Sequence, residues 1–91
     1  MTNELPDEIA IVTGAGTGIG AAIAKSLSHH WPVLCLGRTL EKLEALVEGS
    51  DDRLLPRVLD VTDRTAIDSF AGELTARGAR VAALVNNAGI G

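Results

Sequence analysis

Runs rich in Val, Ile and Leu recur along the 91-residue chain at Ile9–Val12, Val33–Leu36, Leu54–Val61 and Val81–Val85. Each has the character of a buried strand. The segments between them change period. Ile19, Ile23 and Leu27 fall four apart with Ala22 and Ser26 beside them, Leu40, Leu43, Leu46 and Val47 form a second stripe, and Ile67, Phe70, Ala71 and Leu74 a third. Each stripe predicts one apolar face of an amphipathic helix. Helix punctuation agrees: Thr39 can cap the second helix and Gly49 end it, while Thr62 or Asp63 can cap the third, which stops near Gly78. Pro32, after Ser28-His-His-Trp31, separates the first helix from the second strand. The order strand, helix, strand, helix, strand, helix, strand predicts an α/β fold with a parallel sheet and right-handed crossovers.

Between the first strand and the first helix stands Thr13-Gly-Ala-Gly-Thr-Gly-Ile-Gly20, with four glycines in eight residues. Each glycine has extra backbone entropy to lose on folding. At a strand-to-helix junction the return is a sharp turn, and free N–H groups at a helix start that can hold a pyrophosphate. The spacing departs from G-x-G-x-x-G, because the sixth position from Gly14 is Ile19; Gly14, Gly18 and Gly20 give T-G-x-x-x-G-I-G instead. A glycine-rich turn without a ligand is the alternative.

Composition narrows the classes. The chain is short enough for at most one small domain. With 8 basic and 12 acidic residues its net charge is −4, against a nucleic-acid or anionic-membrane surface. The opening MTNELPDE is acidic and lacks the apolar stretch of a secretory signal, and no apolar run approaches the ~20 residues of a membrane span. The single Cys35 excludes an internal disulfide framework and reads as inert core. A soluble, cytoplasmic protein is expected. His29 and His30 sit at a helix end with no further ligand at metal spacing, and Trp31 reads as packing at the sheet end away from the ligands.

Thr13–Gly20 resembles the cofactor loop of the short-chain dehydrogenase/reductase family. Three further matches follow in the family's order: Leu36-Gly-Arg-Thr39 at the end of the second strand, Leu59-Asp-Val-Thr-Asp63 after the third, and Asn86-Asn-Ala-Gly89 after the fourth. The resemblance covers Ile9 to Gly89. It implies a Rossmann-type sheet in the order 3-2-1-4 flanked by helices, with the second half of the doubly wound fold incomplete, since the chain stops just past the fourth strand. Residues 1–91 are then the N-terminal, NAD(P)-binding portion of a single-domain enzyme.

By that resemblance, Gly14, Gly18 and Gly20 shape the turn around the pyrophosphate, Ile19 lies against the cofactor, and Gly16 and Thr17 occupy variable loop positions. Thr13 is expected to tie this loop to Asn86–Asn87 through its hydroxyl; the alternative is an ordinary β-branched strand residue. Asp60 resembles the acceptor of the adenine amino group, with Val61 beside it, although an Asp before a helix can also be a cap and Asp63 is available for that. Asn86, Asn87, Ala88 and Gly89 resemble the loop beside the nicotinamide ribose, and the two asparagines can equally be structural.

Arg38 bears on cofactor choice. Where dinucleotide folds place an acidic residue on the ribose 2′-hydroxyl, this chain has Gly37 followed by Arg38. A guanidinium there can pair with a 2′-phosphate, with Thr39 adding a hydroxyl. NADP is expected, with NAD the alternative. Thr17 stands where some NADP-using relatives carry a basic residue, and Arg38 can also be a solvated helix-start charge.

The family's Tyr-x-x-x-Lys pair is absent. The chain has no tyrosine, and Lys25 and Lys42 fall on expected exposed helix faces. No catalytic residue and no metal ligand is assigned. The implied function is hydride transfer between nicotinamide and an alcohol or carbonyl, here only its dinucleotide-binding part. The complete enzyme would take a small-molecule substrate and form a homo-oligomer. The alternative is a stand-alone nucleotide-binding or interaction module without catalysis.

Overall fold

The computed structural model describes residues 8–15, 18–48 and 53–87. Seven elements alternate: β1 (Glu8–Thr13), α1 (Gly18–Leu27), β2 (Val33–Gly37), α2 (Leu40–Val47), β3 (Leu54–Val58), α3 (Arg64–Arg77) and β4 (Arg80–Asn86). The strands form one sheet in the order β3-β2-β1-β4, with every pair parallel. This is the Rossmann-type order.

Helices cover both faces. On one, Ala10, Val12, Val33, Cys35 and Leu54 of the strands are buried with Ala24 of α1 and Leu43 and Leu46 of α2. On the other, Ile9, Ile11, Leu34 and Leu36 are buried with Phe70 of α3. Alternate strand residues therefore serve opposite cores, which is why the central strands read as continuous apolar runs. Burial pushes the Cys35 thiol up to about 11, as expected of a core cysteine. Trp31 packs against the first core just ahead of β2, at the sheet end away from the glycine turn.

The helix stripes need correction. In α1 the buried residues are Gly20 and Ala24, Ile23 and Leu27 are half-buried, and Ala22 and Ser26 are exposed. Ile19 is 70% exposed. Small side chains let α1 approach β1 closely, so its contact line runs through Gly20 and Ala24. In α2 Leu40 is exposed, and in α3 only Phe70 is buried, with Ala71 exposed. β3 stops at Val58, short of the Leu54–Val61 run, and Pro56 is accommodated because β3 is an edge strand.

Caps are settled as well. Asp63 caps α3 by accepting from the Ala66 amide at 3.1 Å, and Gly78 closes it with its amide on the Leu74 and Thr75 carbonyls. Thr39 occupies the N-cap position of α2 without a side-chain capping bond. Gly49, expected to end α2, lies outside the described residues; Glu48 is the C-cap.

An ion pair joins the third helix to the sheet. Arg57 of β3 donates to both carboxylate oxygens of Glu73, at 3.1 and 2.5 Å, and its guanidinium stands 5.2 Å from the Phe70 ring centroid. This bond raises the Arg57 pKa and holds the Glu73 carboxyl below its usual range.

Candidate cofactor site

Because all four strands are parallel, their carboxyl ends lie along one edge of the sheet. The ends of β1, β2, β3 and β4 and the start of α1 thus come together. Ligands of open α/β sheets bind at such an edge.

The turn after β1 is held by three neighbours. The Ala15 amide donates to the Leu36 carbonyl at 3.0 Å, fastening the turn to the end of β2. The Asn87 side-chain amide donates to the Gly14 carbonyl at 3.2 Å. Thr13 donates its hydroxyl hydrogen to Asn86 Oδ1 at 3.0 Å and accepts from the Asn87 backbone amide at 2.9 Å. The expected tie between Thr13 and the Asn86–Asn87 segment is therefore present. Both asparagines have a structural task here, since Asn86 receives Thr13 and Asn87 braces the turn.

The glycines of this turn have separate reasons. Gly14 and Gly18 have φ values of 65° and 53°, the left-handed region where a side chain is strained. Among the described residues, and its own chain neighbours aside, a Cβ added at Gly18 would meet nothing within 4 Å. At Gly20 an added Cβ would run into the Gly14 carbonyl oxygen and come 2.7 Å from Asn87 Nδ2. Gly20 is therefore the close contact between helix and turn. A helix start whose first residue is a glycine with no described side chain against it fits an incoming pyrophosphate. Exposed Ile19 stands next to this glycine. Gly16 and Thr17 lie outside the described residues, as do Ala88 and Gly89.

At the end of β2, Gly37 is half-buried and Arg38 and Thr39 are exposed. A Cβ at Gly37 would approach Leu43 Cδ2 to 3.1 Å, so glycine here also serves the packing of α2. Sequence reasoning missed this, because the contact joins β2 to a residue one helical turn into α2. The Leu59 amide donates to the Gly37 carbonyl at 2.8 Å, which brings the segment after β3 beside Arg38.

In that segment Asp60 and Asp63 divide their work. Asp63 caps α3, so capping does not account for Asp60. Asp60 Oδ1 accepts from the Thr62 hydroxyl at 2.6 Å and the Thr62 amide at 2.9 Å. These bonds, with a smaller contribution from the charge of Arg38, hold the Asp60 carboxyl below its ordinary value. Val61 is half-buried beside it. Among the described residues no three His, Cys, Asp or Glu side chains converge on a metal position, and no helix is long and apolar enough to cross a membrane.

Comparison with known proteins bears on this edge of the sheet. A family model described as short chain dehydrogenase matches residues 8–91. The chain is 37% identical over 83 residues to an NADP-dependent 3-hydroxy acid dehydrogenase of Salmonella typhi, covering 90% of this chain and 34% of that protein. The crystal structure of serine dehydrogenase from Escherichia coli superposes with a TM-score of 0.79 at 36% identity, covering 91% of this chain and 39% of the other. The closed form of a serine dehydrogenase complexed with NADP+ gives a TM-score of 0.75 at 35% identity, covering 87% and 32%. The chain spans about a third of the length of the curated relatives it matches.

Proposed function

Since this chain belongs to the short-chain dehydrogenase family, we propose that it is the N-terminal, NADP-binding portion of a single-domain oxidoreductase acting on an alcohol or carbonyl. The observation that carries the reading is the pairing of Gly37 and Arg38 at the end of β2, on the same sheet edge as the Gly14–Gly20 turn. Position 37 carries no carboxylate for a ribose 2′-hydroxyl, and in this reading the Arg38 guanidinium pairs with a 2′-phosphate. The NADP named for the Salmonella protein and in the closed serine dehydrogenase complex supports the same choice.

In this reading each group has a defined task. Gly14, Gly18 and Gly20 shape the turn around the pyrophosphate, Gly16 and Thr17 take its variable positions, and Ile19 gives it an apolar neighbour. Arg38 and Thr39 hold the 2′-phosphate, Asp60 and Val61 the adenine, and Asn87, Ala88 and Gly89 border the nicotinamide ribose. A bound nicotinamide supplies or accepts the hydride. The chain has no tyrosine, so the family's proton-carrying Tyr–Lys pair is placed outside these 91 residues. A small-molecule substrate, a homo-oligomeric enzyme and a cytoplasmic location belong to the same proposal. The missing tyrosine also favours a second reading, nucleotide binding without turnover. Alcohol- or carbonyl-dependent turnover by a longer protein that carries these 91 residues would exclude it.

The test is equilibrium binding of NADPH and NADH to the protein and to Arg38→Leu. A charge-assisted contact is worth about 1.5–3 kcal/mol, or about ten- to a hundredfold in affinity. Arg38→Leu should lose that factor for NADPH and little for NADH. An equal change for both, or a starting preference for NADH, would overturn the assignment. Gly37→Asp should move the preference further toward NADH, and Leu43 must shift by a few tenths of an ångström to admit the new Cβ.

A further inference from the structure

The turn between β3 and α3 is more tightly specified than a connection requires. Asp60 Oδ1 takes two hydrogen bonds from one residue, the hydroxyl and the amide of Thr62. The Asp63 amide closes the turn on the Asp60 carbonyl at 2.9 Å, and Asp63 in turn caps α3. The far side is fixed by the Leu59 bond to Gly37, next to Arg38. An aspartate side chain ordinarily rotates about two bonds. Two donors on one oxygen hold the carboxylate in a single plane, while Oδ2 keeps its accepting capacity and has no partner among the described residues.

From this geometry we infer that Thr62 is a positioning residue of the nucleotide site, which sets the Asp60 carboxylate so that Oδ2 accepts a base amino group and the site prefers adenine to its deaminated counterpart, hypoxanthine. The inference rests on the reading of Asp60 as the adenine acceptor. Hypoxanthine carries a carbonyl oxygen in place of the amino group, and a fixed acceptor gains nothing from it. A carboxylate free to turn away would discriminate less between the two bases. The low pKa of Asp60 keeps it ionised, and so accepting, across neutral pH. Preorganising an acceptor in this way removes an ordering cost from binding.

A role confined to stabilising the turn would leave base choice unchanged, so base choice is the readout. NADPH and its hypoxanthine analogue are titrated into the protein and into Thr62→Val, Thr62→Ser and Asp60→Ala, with the melting temperature of each variant recorded. Thr62→Val keeps the amide donor and deletes the hydroxyl. It should weaken NADPH binding by about five- to tenfold, the scale of one hydrogen bond, leave the hypoxanthine analogue unchanged, and be rescued by Thr62→Ser. If Asp60→Ala affects only the adenine form while Thr62→Val affects both alike or neither, the positioning role is overturned and the Asp60 reading stands. If Asp60→Ala itself does not distinguish the two ligands, the adenine reading falls and the inference with it.

Discussion

The two faces of the sheet use the same four strands and end up covered very differently. On the face of α1 and α2, Leu43 is fully buried, Leu46 nearly so, and Ala10, Val12, Val33 and Cys35 beneath them are sealed from solvent. On the face of α3, Phe70 is the one buried residue contributed by the helix among those described. There β1 pairs Ile9 with Val81 and Ile11 with Leu84, which places the two β4 residues on the α3 side, yet Val81 is 44% and Leu84 63% exposed. Similar apolar side chains thus have opposite fates, according to whether a helix stands over them. The comparison teaches that strand hydrophobicity states a capacity for burial, and that helix placement decides where the capacity is used.

The comparison can be broken with matched truncations. Leu43→Ala on the doubly covered face should cost about 2–5 kcal/mol of stability in denaturant unfolding, because its neighbours are held by two helices and cannot collapse into the space. Phe70→Ala removes more atoms but should cost less, since the half-buried Leu74 and Leu59 beside it can move and water can enter. A larger loss for Phe70→Ala would show the two faces to be equally rigid.

A smaller effect is expected at the clamp between β3 and α3. The Arg57–Glu73 pair is partly exposed, so it contributes about 1 kcal/mol or less. Its pH dependence has a defined sign. The folded pKa of Glu73 lies below the ordinary 4.5, so the contribution is present above that value and is lost as pH falls through the folded pKa. Urea unfolding of the protein and of Glu73→Gln should therefore differ at neutral pH and converge in acid. A gap that stays constant or widens as pH falls would contradict the assignment.

The smallest effect on stability should come from the bare part of the α3 face. Leu84→Ser is expected to change unfolding free energy by within about 0.5 kcal/mol. It should reduce self-association of the 91-residue chain in light scattering, because an exposed apolar patch on a strand with an open edge favours pairing. A monodisperse, monomeric parent chain would remove the basis for this expectation.

Much of the fold was legible in the sequence because its signals are local. The change of period between strand and helix, the Asp63 cap and the Gly78 stop each lie within a few residues of what they specify. The Thr13 tie to Asn86–Asn87 was legible only through the family resemblance, since nothing local links residues 73 positions apart. The exposure of Ile19 and Ala22 was not legible. Their spacing is as helical as that of Ala24, and only the docking of α1 through Gly20 chooses between them.

For the candidate site the division is similar. The sequence by itself determined that glycines occupy the first strand-to-helix turn, that no carboxylate stands at position 37, and that two aspartates precede α3. Tertiary structure decided that Asn87 braces the Gly14 carbonyl, that Gly37 lies against Leu43, and that Thr62 engages Asp60 while Asp63 takes the cap. The physical reason is that a hydrogen bond or a van der Waals contact depends on separations of tenths of an ångström. A pattern along the chain names the candidates for such contacts, and packing the strands and helices together selects the partners.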